Sequence, residues 1–149
     1  DNVESRGLGD VYKRQPIQIQ GFHHISRTTC DVGASVRFYR DLLGFTELNR
    51  PPFNFRGAWL YGYGIQIHII ENAAYLNEVR TIDSKGDHIA FRVADCEEIQ
   101  SRLNAEGIPY IFKINAGGIP QVFIHDPDGH QIELAVVGDP SIGYEPDRA

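Results

Sequence analysis

No stretch of this 149-residue chain is apolar for long enough to cross a bilayer. Basic residues are in short supply: 14 Lys and Arg stand against 20 Asp and Glu, a net charge of -6. That balance argues against nucleic acid as a partner. Cysteine is scarce too. Cys30 and Cys96 lie far apart and form no CxxC pair. The opening residues do not read as a secretory signal, so free thiols in a cytoplasmic protein are expected. What remains is the make-up of a globular domain, 42% hydrophobic and 23% charged, long enough for one domain with a real core.

The two ends read differently from the middle. Ser5 to Gln15, "SRGLGDVYKRQ", resembles the in-frame translation of a sequencing adapter. Residues 1–15 are therefore expected to be a non-native, disordered leader. Residues 138–149 hold Pro, Gly and charge with little apolar content, and are expected to be a flexible tail. One domain is expected over 16–137.

Within it the chain repeats. "HISRTTCDVGASVRFYRDLLGF" from His24 parallels "HIAFRVADCEEIQSRLNAEGIP" from His88. Asp31 and Asp95 are candidate helix N-caps, and Glu98 has capping-box spacing from Asp95. Val32, Val36, Tyr39 and Leu43 share one helical face, as do Ile99 and Leu103. Gly44 and Gly107 suit left-handed helix ends. Three strand patterns follow each helix, and "DPDG" (126–129) marks a turn between the last two. The expected fold class is α+β, two βαβββ modules at about 17–72 and 86–137. A repeat of roughly 65 residues is too long for a solenoid unit, so the halves should form one domain.

Side chains alternate along strands, so each module packs one sheet face under its helix and leaves the other free. The free faces should carry His24, Ser26 and Thr28; Gln66, His68 and Ile70; His88, Ala90 and Arg92; Gln131, Glu133 and Ala135. His24 and His68 are 44 residues apart, and His88 and Glu133 are 45 apart. A Glu in an apolar strand is costly unless it is paired or metal-bound. Three imidazoles and a carboxylate suit a divalent transition metal. His23 faces the other way, beside Ile25, so His24 is preferred. His125 and His130 are expected to be exposed loop histidines flanking the turn. Trp59, Tyr61, Tyr63, Phe53 and Phe55 could line a pocket, with at least half of them expected in the core.

"HHISRTTCDVGASVRFYRDLLGF", "DHIAFRV" and "FIHDPDGHQIELAV" resemble the vicinal oxygen chelate superfamily, the glyoxalase I and bleomycin-resistance group, over about residues 17 to 137. The resemblance implies a half-open barrel of paired βαβββ modules around one metal, Ni²⁺, Co²⁺, Zn²⁺ or Mn²⁺. It implies His24, His68, His88 and Glu133 as ligands, a small-molecule substrate that chelates through two oxygens, and a homodimer whose site in some members forms between chains. "RPPFNFRGAWLYGYGIQIHII" looks like glyoxalase-I-like proteins. The activity so implied is a metal-dependent lyase or isomerase of a small oxygen-chelating substrate such as a glutathione hemithioacetal.

The sequence departs from true glyoxalase I at the second ligand, commonly Glu there and His68 here. A metal-bound imidazole has no free lone pair, which leaves Glu133 as the only base. Thr28 stands where bacterial enzymes carry an Arg for the glutathione carboxylate. Arg92 or Arg27 would have to substitute, with Asn72 matching a further substrate contact. The alternatives on this scaffold are a fosfomycin thiol transferase, an extradiol dioxygenase, or a bleomycin-resistance-type protein that sequesters its ligand without chemistry.

Overall fold

The structure, a computed structural model, describes residues 15–75 and 81–146. Residues 1–14 of the expected leader and 147–149 of the expected tail lie outside the described residues.

Strand β1 (His24–Thr29) leads through Asp31 into α1 (Val32–Arg37), which widens into a π-helical turn over Phe38–Leu42. Strands β2 (Thr46–Leu48), β3 (Gly57–Gly62) and β4 (Ile65–Glu71) complete the first module. The second repeats it with β5 (His88–Arg92), α2 (Cys96–Glu106), β6 (Ile111–Ile114), β7 (Pro120–His125) and β8 (Gln131–Ala135). Each module is a four-stranded mixed sheet, ordered β1-β4-β3-β2 and β5-β8-β7-β6. The two sheets do not close into a barrel.

Local chemistry explains the helix ends. The Asp31 carboxylate accepts the Ala34 N–H at 3.0 Å, satisfying one orphan donor of the first turn. Asp95 accepts the Glu97 N–H at 2.8 Å. That bond goes to Glu97 rather than to Glu98, the donor a capping box would use. Gly107 ends α2 with φ at 68°, where a side chain would be strained.

The register makes the repeat physical. Ser26, two residues after His24, pairs with His68. Ala90, two residues after His88, pairs with Glu133. His68 and Glu133 therefore occupy the same place in their sheets. Beneath them one core runs through both modules: Tyr39, Leu60, Ile67 and Ile69 on one side, Leu103, Val122, Ile124 and Ile132 on the other, all buried.

The modules are latched by polar contacts at the "DPDG" turn. The Tyr39 hydroxyl donates to Asp126 Oδ2 at 2.7 Å. The Cys30 N–H donates to Asp128 Oδ1 at 3.1 Å, and the His130 ring meets the Thr28 carbonyl at 2.8 Å. Neither cysteine is in a disulfide.

One close approach fixes the start of β3. A Cβ on Gly57 would stand 2.2 Å from the Ile69 carbonyl oxygen. Backbone in a paired strand cannot yield cheaply, so Gly57→Ala should cost about 1–3 kcal/mol, the overpacking range, in a urea titration. An unchanged unfolding midpoint would mean that this end of β3 is slack.

Candidate metal centre

The free face of each sheet presents a pair of metal-type side chains, and His23, expected to face away, instead joins the first pair: its Nδ1 lies 2.9 Å from His24 Nδ1 and its ring centre 6.4 Å from that of His68. In the first module the His24 and His68 rings stack, centroids 4.0 Å apart and 13° from parallel. The Trp59 indole covers the other side of His68 at 4.4 Å and 7°. It can do so because Trp59 pairs directly with His68 across β3 and β4. His68 Nε2 bonds Gln66 Oε1 at 2.8 Å. With Gln66 as acceptor, that nitrogen carries the proton and Nδ1 keeps its lone pair. Burial, then the nearby His24, His23 and Arg50, hold the His68 pKa below its ordinary value. The imidazole is thus kept in the neutral form that binds metals.

In the second module His88 Nε2 lies 3.8 Å from Glu133 Oε2. Its other nitrogen, Nδ1, meets the Gly86 carbonyl at 2.7 Å. A carbonyl only accepts, so Nδ1 carries the proton and Nε2 presents its lone pair toward Glu133. Metal-binding histidines are commonly oriented by such an outer hydrogen bond. Two donors about 2.1 Å from a tetrahedral ion stand about 3.4 Å apart; the separation of His88 and Glu133 is close to that. Glu133 is 8% exposed. The Gln121 amide donates to its Oε1, which leaves Gln121 Oε1 buried without a partner. A buried carboxylate beside an orphaned acceptor is expensive unless a proton or cation joins it. The donors and their surroundings fit a divalent metal.

Among the described residues no three of these four side chains bring their donor atoms within 4.8 Å of one another. Among the described residues, one set of three acidic, His or Cys side chains has donor atoms all within 4.8 Å of one another: Asp126, Asp128 and His130. It contains none of His24, His68, His88 and Glu133. In that set Asp126 Oδ1 accepts the Asp128 and His130 N–H groups, both at 2.9 Å, and Oδ2 accepts Tyr39. Its lone pairs serve the turn and the latch. His130, expected as an exposed loop residue, is instead partly buried against β1. The expected loop histidine His125 is also only partly exposed, at the end of β7.

The three polar candidates for substrate contact are dispersed. Arg27 shares a strand face with Ile25, opposite His24, and its Nε is buried without a partner. Asn72 closes a turn by accepting the Ala74 N–H at 3.0 Å. Arg92 is exposed and lines a cavity of about 1060 Å³ between α2 and residues 137–145. That cavity, walled by Phe91, Leu103, Leu134 and Val136 among others, contains none of the four metal-type residues. It lies on the helix side of the second sheet, so Arg92, expected on the free face beside His88, borders the opposite side instead.

The aromatic residues correct an expectation. Phe53, Phe55, Tyr61 and Tyr63 are all exposed, and Trp59 is only partly covered. Strand alternation puts Trp59 and Tyr61 on the free face, and a loop carries the two phenylalanines. Arg50, which sequence reasoning missed, sits among them with its guanidinium 4.9 Å from the Phe53 ring centre and 4.8 Å from that of Phe55. Its sequence signal was the pairing of a basic residue with closely spaced aromatics.

Comparison with known proteins places these features. A model of the Glyoxalase/Bleomycin resistance protein/Dioxygenase superfamily matches residues 21–134. Glyoxylase I 4 of Arabidopsis thaliana is 36% identical over 125 residues, covering 80% of this chain and 72% of that protein. Glutathione transferase FosA of Serratia marcescens is 32% identical over 120 residues, covering 79% and 82%. The fold also matches the crystal structure of FosX, a fosfomycin resistance protein from Listeria monocytogenes. There the TM-score is 0.67 at 20% identity, over 81% of this chain and 94% of that one.

Proposed function

We propose that this chain, which belongs to the Glyoxalase/Bleomycin resistance protein/Dioxygenase superfamily, is a metal-dependent lyase or isomerase of glyoxalase I type. Its substrate is a small oxygen-chelating compound, with a glutathione hemithioacetal as the first candidate. His24, His68, His88 and Glu133 hold one divalent ion, Ni²⁺, Co²⁺, Zn²⁺ or Mn²⁺. The observation that carries the proposal is the second module's pair: His88 with its lone pair aimed at a buried Glu133. When bound, the metal supplies Lewis-acid polarisation of the substrate oxygens. Glu133 takes the substrate proton and returns it, Gln121 holds the carboxylate in place, and the Gly86 carbonyl orients His88. Because no three of the four donors gather within 4.8 Å in one chain, we place the complete site between two copies, with module one of one facing module two of the other.

Metal analysis together with a thioester assay tests this. Stripped protein should be inactive on methylglyoxal plus glutathione, and one of the four metals should restore turnover. Glu133→Gln should lose activity at least about a hundredfold while folding normally. No metal uptake and no rate above background with any of the four ions would sink the proposal.

The 32% identity to a glutathione transferase supports a second reading, in which the same centre adds a thiol to fosfomycin. Consumption of fosfomycin and glutathione, with none of hemithioacetal, would select it.

A further inference from the structure

Beside the His24–His68 pair, the free face of the first module continues as a line of aromatic rings. From Trp59 it passes to Phe53, 6.1 Å away and tilted by 52°, and on to Phe55, stacked on Phe53 at 5.2 Å and 12°. Arg50 lies over both phenylalanines, held by a bond from its guanidinium to the Phe55 carbonyl at 2.9 Å. Phe53 is 45% exposed and Phe55 42%. Two half-exposed phenylalanines cost hydrophobic free energy, yet stacking and the arginine hold them in a defined arrangement. Among the described residues the Arg50 guanidinium pairs with no carboxylate.

We propose that Trp59, Phe53, Phe55 and Arg50 form a recognition subsite for a planar aromatic group bearing an acidic substituent, continuous with His24 and His68. The ring of the ligand lies against Trp59 and Phe53, and its anionic group meets Arg50. The substrate class is then an aryl compound with chelating oxygens at one end and an acid at the other. This rests on the reading of His24 and His68 as the reacting end of the site.

Trp59 is the chain's single tryptophan, so its indole N–H gives one nuclear magnetic resonance signal that reports on the subsite. Benzoate and cyclohexanecarboxylate carry the same charge at similar size, but only benzoate is planar and aromatic. In the metal-free full chain, benzoate should shift the indole signal and bind about fivefold or more tightly than cyclohexanecarboxylate. The double variant Phe53→Ala, Phe55→Ala should weaken benzoate about five- to tenfold, and Arg50→Gln should do likewise. Equal affinity for the two acids would overturn the proposal. So would unaltered benzoate binding by the double variant, including the case where that variant changes only the oligomeric state and so marks a contact between copies. Selective benzoate binding by a protein that takes up no metal would uphold the subsite and remove the metalloenzyme reading alone.

Discussion

A mixture of two inactive proteins, His24→Ala and Glu133→Ala, is expected to recover about a quarter of the unaltered activity after subunit exchange. Each variant alone should fall at least about a hundredfold, because each removes one of the four proposed metal ligands. The recovery follows from the fold. His24 belongs to module one and Glu133 to module two, and among the described residues no set of three close donors joins them within a chain. If each site uses module one of one copy and module two of the other, a mixed dimer gathers both lesions into one site. The other site is intact. Random exchange makes about half of the dimers mixed, and each has one of its two sites working. Mixing His24→Ala with His68→Ala is the control: both lesions lie in module one, so every site keeps one, and no activity should return. Failure of the first mixture to recover, with subunit exchange verified, would rule out a shared centre.

The second large effect concerns stability. Asp126→Ala should cost about 3–5 kcal/mol, a substantial share of a domain's usual 5–15 kcal/mol. The substitution strips the acceptor from three donors at once: the fully buried Tyr39 hydroxyl and the Asp128 and His130 N–H groups. Each buried donor left unpaired costs roughly 1–3 kcal/mol, with partial relaxation toward water. Equilibrium unfolding in guanidinium measures it, and a cost below about 1 kcal/mol would show that the latch is not a stabilising element.

The pH dependence has a definite sign. Burial is the largest cause holding the Asp126 carboxyl above the ordinary carboxylate range. The folded protein therefore keeps a proton there that the unfolded chain has already released. Between the unfolded and folded pKa values the native state binds more protons, so lowering the pH through that window favours folding. Relative to Asp126→Asn, which cannot titrate, the unaltered protein should gain stability as the pH falls through this range. The opposite slope would mean that Asp126 is stabilised as the anion. Acid unfolding of this protein must begin at other groups.

Much of this organisation was legible before any coordinates. The βαβββ repeat, both helix caps and the Gly107 helix end follow from local backbone chemistry, which a sequence states directly. The equivalence of His68 and Glu133 was legible because strand register within a repeat is tied to residue spacing. Three features were not. The separation of the two metal-type pairs depends on how the sheets face one another, which alternation within a strand does not constrain. The second role of "DPDG" as a latch needs Tyr39 to arrive from 87 residues away. The exposure of Phe53 and Phe55 ran against expectation because hydrophobicity alone assigns aromatics to a core, whereas here they lie in a loop beneath an arginine.

The parallel pairing of β1 with β4, and of β5 with β8, bears on how the protein is made. His24 finds Gln66, and His88 finds Gln131, only after the helix and two other strands have been laid down between them. A hairpin such as β3–β4 can zip locally, but these pairs must close a long loop before any hydrogen bond compensates for the lost chain entropy. Until that happens β1 and β5 are unpaired on both sides and liable to pair with another chain; afterwards each is an edge strand with one side paired. Each module is thus a cooperative unit that completes itself at its last strand, and a nascent first module can close before the second has emerged from the ribosome.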